Sequence, residues 1–146
     1  MTDQYEQRLT VDDVAVGDSG PEVIIEDVQR EDFVKYAGAS GDFNPVHYDE
    51  PYAKEAGNKS VFGQGMLTAG YASHMISDWF GLENVTRFKV RFRARLFPGD
   101  SLTVNGEITD IDSHDDGATV VSEFAVTNQD GNRLITGEAE ATLPAE

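Results

Sequence analysis

Residues 66–81 read MLTAGYASHMISDWFG, a proline-free run closed by Gly81, and they decide the fold. The pattern predicts a helix over 66–80 that the glycine terminates. Its inner stretch is small, with Ala69, Gly70, Ala72 and Ser73. Small side chains let a helix axis approach a sheet closely, so this helix is expected to lie buried along a sheet's concave face. Met66, Met75, Ile76, Trp79 and Phe80 are read mainly as core packing at helical spacing.

Downstream, four strand-like runs follow at 85–96, 101–111, 118–127 and 134–143. Pro98-Gly99-Asp100, Asp115-Asp116-Gly117 and Asp130-Gly131-Asn132 punctuate the last three connections as turns. Connections this short favour antiparallel neighbours. Upstream, residues 22–28 (EVIIEDV) read as a first strand and residues 30–38 as a short helix presenting Phe33, Val34 and Ala37. Pro51 opens a helical turn over 50–56 that Gly57 stops. One long helix followed by an antiparallel meander is an α+β arrangement. At 146 residues, the expectation is a single domain over 1–146.

The net charge is −16, with acids spread along the chain and only four lysines, Lys35, Lys54, Lys59 and Lys89. That distribution reads as a solvated surface adapted to high salt and makes nucleic acid an unsuitable partner. There are no cysteines, which excludes disulfides and thiolate chemistry. The three histidines, His47, His74 and His114, have no zinc-like spacing, so neither a metal nor another cofactor is expected. No apolar run approaches the length of a membrane span. The opening MTDQYEQRLTVDDV has neither a basic nor an apolar leader region, so the expected setting is soluble and cytoplasmic.

The chemistry concentrates in Gly41-Asp42-Phe43-Asn44-Pro45-Val46-His47. Pro45 pushes Asn44 out of the α region and fixes its own φ, so the segment is an ordered loop. Asp42 and His47 can converge there, and a carboxylate beside an imidazole can move protons at neutral pH. The bland alternative is an Asx-turn in which Asp42 and Asn44 bond local N–H groups and His47 fills space.

YAGASGDFNPVHYDEPYA followed by FGQGMLTAGY resembles the MaoC-like, or hydratase 2, group of hotdog-fold proteins, which includes (R)-specific enoyl-CoA hydratases and 3-hydroxyacyl-thioester dehydratases. The resemblance spans about residues 30–100. It implies that Asp42 and His47 are the catalytic pair that holds a water, and that Asn44 helps to orient them. It places Gly65 where the backbone N–H of a helix start faces the thioester oxygen, a position that favours developing negative charge. Burial is expected to raise the pKa of Asp42. Gln64 stands where many relatives carry histidine, and Gly70 where some carry serine. Gln64 and Met66 are read as substrate-binding, with part of the helix lining an acyl tunnel. The resemblance also implies a homodimer or higher oligomer, or a heterodimer, sharing a sheet with the site near the subunit boundary.

Arg87, Lys89, Arg91, Arg93 and Arg95 alternate with apolar residues and are expected on one strand face. They read either as a solvated face balancing the acids or as a positive island. In the second reading Arg91 and Arg93 take the phosphates of CoA or of a carrier protein's arm. The activity expected is reversible hydration of trans-2-enoyl thioesters, on acyl-CoA or acyl-carrier protein. A thioesterase would need a carboxylate on the long helix, which offers only Asp78. A non-catalytic acyl-CoA-binding or partner subunit would be expected to lack the Asp–His pair.

Overall fold

The computed structural model describes residues 8–146; residues 1–7, half of the stretch expected to carry no leader, lie outside the described residues. After a short 3-10 turn, strand β1 (Val23–Ile25) leads into helix α1 (Arg30–Ser40). A 3-10 turn at Pro45–His47 and helix α2 (Glu50–Glu55) precede the long helix α3 (Gly65–Phe80). Strands β2 (Val85–Phe92), β3 (Leu102–His114), β4 (Gly117–Thr127) and β5 (Arg133–Pro144) complete the chain.

The five strands form one sheet in the order β1-β3-β4-β5-β2, and every pair is antiparallel. Helix α3 lies on one face and meets β2, β3, β4 and β5. This is the α+β hotdog arrangement, a helix wrapped by an antiparallel sheet. Alternation along β4 explains the division of faces: Ala118, Val120, Phe124 and Val126 are buried, while Glu123 points outward.

The small-residue stretch of α3 is divided rather than wholly inward. Ala69 and Ala72 are buried with Met75, Ile76 and Phe80, whereas Gly70 and Ser73 face outward. The 3.6-residue period places them on opposite sides of the helix. Trp79 is half-buried, stacked on Phe80 with ring centroids 4.3 Å apart, and a Cβ at Gly20 would lie 2.5 Å from its ring.

Three strands differ from expectation. β1 is shorter, β2 stops at Phe92 rather than at Leu96, and β3 runs on to His114 rather than stopping at residue 111. The cause at β2 is visible in the backbone. The successive amides of Arg93 and Ala94 both donate to the Leu134 carbonyl, at 2.8 and 3.2 Å, which breaks the ladder's alternation. Arg87, Lys89 and Arg91 share the outer face of β2 and Arg93 reaches the groove on that face from beyond the strand end, whereas Arg95 leaves the expected row of five. Arg93 Nε donates to Thr136 Oγ1 at 3.1 Å, and the Arg95 guanidinium lies over the Phe62 ring, 4.9 Å from its centroid.

Candidate active site

Gly41 caps α1 with φ +78°, a left-handed turn that glycine adopts without Cβ strain, and its N–H donates to the Ala37 carbonyl. The chain thereby leaves the helix at Asp42. Asn44 Oδ1 accepts from Val46 N at 3.2 Å and caps the turn Pro45–His47. Asp42 Oδ1 accepts from Asn44 N at 3.3 Å. The local Asx bonding is thus present, and it occupies only one oxygen of Asp42.

The other oxygen, Oδ2, lies 3.5 Å from His47 Nε2. His47 is buried, and its Nδ1 is 2.6 Å from the Phe62 carbonyl. A carbonyl only accepts, so Nδ1 carries the hydrogen, and in the neutral ring Nε2 keeps its lone pair toward Asp42. Two acceptors then face one another, poised to share a proton or to receive those of a water. The Asp42 side chain is 45 % exposed, so the expected burial is not found in the isolated chain.

Segment 62–65 connects this pair to α3. Phe62 N donates to the Val46 carbonyl at 3.2 Å, and the Phe62 ring meets the His47 imidazole edge-on at 5.3 Å. Gly65 opens α3, where free N–H groups and the helix dipole favour negative charge. A Cβ there would lie 2.9 Å from the Phe92 ring, so only glycine lets the strand end approach this closely. Phe62, Gly65, Thr68, Phe92 and Ile135 border a cavity of about 320 Å³. Asp42 and His47 do not line it, and His47 meets it only through the Phe62 ring.

The remaining expected site residues are spread more widely. Met66 is exposed and does not line the cavity. Gln64, expected to touch substrate, is instead buried, with Nε2 donating to the Phe33 carbonyl. Arg93 borders both this cavity and an open groove of about 820 Å³ on the outer sheet face, which Arg91 also lines. That groove is not purely basic: Lys89 and Arg133 share it with Glu107, Glu123 and Glu138. Arg87 is paired with Glu138 and Glu140, at 3.1 and 3.6 Å, so it does balance surrounding acid. His74 pairs with Asp78 at 3.1 Å on the exposed side of α3, and His114 bonds Thr119 at the surface. Asp78 lies thirteen positions from Gly65 along the helix, about 20 Å at 1.5 Å per residue.

Sequence reasoning missed Phe62, Thr68, Phe92 and Ile135. Phe92 carried a usable signal, being the apolar member between Arg91 and Arg93, but its approach to Gly65 depends on where β2 ends.

A family model described as "MaoC like domain" matches residues 5–130. The chain belongs to the MaoC-like domain family. An (R)-specific enoyl-CoA hydratase of Rhodospirillum rubrum is 29 % identical over 121 residues, covering 81 % of each chain. The peroxisomal multifunctional enzyme type 2 of Mus musculus is 32 % identical over 92 residues, 61 % of this MaoC-like chain and only 12 % of the mouse protein. Among solved structures, the unliganded R-hydratase PhaJ1 from Pseudomonas aeruginosa superposes with a TM-score of 0.82 at 28 % identity, covering 95 % of this chain and 88 % of the other. These relatives support a hydro-lyase enzyme on a hotdog fold. Among the described residues, no helix of this MaoC-like protein is long and apolar enough to cross a membrane.

Proposed function

We propose that this protein is an (R)-specific enoyl-thioester hydratase, equivalently an (R)-3-hydroxyacyl-thioester dehydratase. The observation that carries the reading is His47 Nε2 facing Asp42 Oδ2 at 3.5 Å, with Nδ1 tied to the Phe62 carbonyl. In hydration, the water oxygen bonds to C3 of the trans-2-enoyl thioester while one member of the pair takes its proton. The C2–C3 π electrons move toward the thioester, whose oxygen gains negative charge opposite the Gly65 N–H. The water proton passes across the pair, the other member delivers it to C2, and the carbonyl re-forms. Asn44 serves by capping the turn that carries His47.

Acyl-CoA or acyl-carrier protein is the proposed substrate, with Arg91 and Arg93 receiving its phosphates at the groove that Arg93 joins to the cavity. The proposed working form is a homodimer or higher oligomer. Phe43, Met66 and Phe92, all more than half exposed around the site, are the apolar surface a second copy would cover. The charge of −16 supports a surface suited to concentrated salt.

The test is hydration of crotonyl-CoA and longer enoyl-CoA esters in high salt, followed by loss of the conjugated enoyl thioester. Asp42→Asn and His47→Ala should each lose about 10²–10⁴-fold in kcat/KM. A wild type no faster than both variants at every chain length would overturn the reading and leave a binding or partner subunit in its place.

A further inference from the structure

Gln64 is 1 % exposed, and its amide reaches back across 31 positions to the Phe33 carbonyl of α1, Nε2 donating at 2.9 Å. Its Oε1 has no partner among the described residues. Exchanging amide nitrogen and oxygen would not repair this, because the Phe33 carbonyl can only accept. A side chain kept here for packing alone would be apolar. A buried acceptor left unpaired costs folding free energy that methylenes of similar volume do not.

The place of that bond in the fold gives it a purpose. Helix α1 ends at Gly41 and delivers Asp42; Gln64 immediately precedes Gly65 and the start of α3. Between them runs segment 62–65, whose Phe62 carbonyl holds His47 and whose Phe62 N–H holds the Val46 carbonyl. Gly63 is pressed so closely that a Cβ would meet the Phe33 ring at 2.8 Å and Leu96 at 3.0 Å. The histidine turn is thus tied to the segment through backbone. Among the described residues, the Gln64 amide makes the one hydrogen bond that ties α1 to the start of α3.

We propose that Gln64 is a positioning residue that sets the separation between the Asp42–His47 pair and the Gly65 N–H. The inference rests on the hydratase reading and extends it: the acid–base groups sit in the loop and turn that follow α1, the thioester-oxygen donor opens α3, and this amide holds the two in register. Displacing reacting groups by about an ångström costs turnover more than binding.

The experiment compares wild type, Gln64→Met, Gln64→Leu, Gln64→His and Asp42→Asn in enoyl-CoA hydration. Rates are taken well below each variant's melting temperature and normalised to the folded fraction by circular dichroism. Methionine and leucine remove the donor to Phe33 at similar volume, while histidine keeps an N–H of similar reach. Gln64→Met and Gln64→Leu should lose about 10–100-fold in kcat with KM changed less than about threefold, and Gln64→His should recover most of it. Wild-type kcat in a folded Gln64→Met, or a histidine variant as slow as the methionine one, would overturn the proposal. If Gln64→Met fails to fold, Gln64→Leu carries the same comparison. A wild type no faster than Asp42→Asn would instead bring down the hydratase reading, and this inference with it.

Discussion

At Gly65 one methyl group is enough to separate the two requirements placed on the helix start. A Cβ would press on the Phe92 ring at 2.9 Å, while nothing in the intrinsic helix preference opposes alanine. Gly65→Ala is therefore expected to fold and to lose at least about tenfold in kcat/KM, because the strand end must retreat from the N–H it lines up with. Trimming the ring in Gly65→Ala/Phe92→Leu should recover part of the loss; steady-state kinetics on the single and double variants measure it. The same residues mark what was legible at this scale. Asp42, Asn44, Pro45 and His47 announce themselves because turn chemistry is local and written in side chains. The acceptor that fixes the His47 ring is the backbone carbonyl of Phe62, which any residue could supply and no sequence marks. Gln64 was visible as a departure beside the helix glycine, but its direction, away from the cavity and toward Phe33, depends on how α1 lies across the start of α3.

Among the elements, α1 and α2 flank the site loop, and a single ion pair joins their first turns, Arg30 Nη2 to Glu50 Oε1 at 2.9 Å. The Arg30 hydrogen bond, and then its charge, hold the Glu50 carboxyl below the usual 4.5. A carboxyl depressed in the folded state stabilises that state above its unfolded value and stops doing so as pH falls through the folded one. The contribution is thus constant above about pH 5 and fades in acid. Melting curves of wild type and Arg30→Gln should differ by a small, pH-independent amount near neutrality and converge as the pH falls through the depressed Glu50 pKa; a gap that persisted in strong acid would contradict the assignment. The long elements were legible because each carries its own period and its own stop, as α3 does with Gly81. The end of β2 was not. Arg93 and Ala94 share one carbonyl on β5, a choice made by pairing across more than forty residues, and alternation in β2 alone gives no hint of it.

Across the whole molecule, the sheet register lines up three carboxylates on the outer face: Glu107 opposite Glu123, and Glu123 opposite Glu138. Like charges directly opposite one another destabilise a sheet, and only Glu138 has an arginine partner among the described residues. Screening should relieve this row, since the Debye length falls to about 3 Å in molar salt. The melting temperature is expected to rise from dilute buffer to molar KCl. Glu123→Gln, at the centre of the row, should raise it by about 1–4 °C in dilute buffer and by almost nothing in molar salt. A melting temperature indifferent to salt would remove the idea. The overall acidity was plain in composition, but the row exists only once the strands are in register. The cavity adds a longer view. Its acid–base neighbours come from residues 42–47, whereas Phe92 and Ile135 shape its walls from strands much later in the chain. On the hydratase reading, inheritance could therefore treat the two separately: drift in the late strands would change which acyl groups are admitted while the loop is passed on intact, so that a lineage would acquire new diets without reinventing its chemistry.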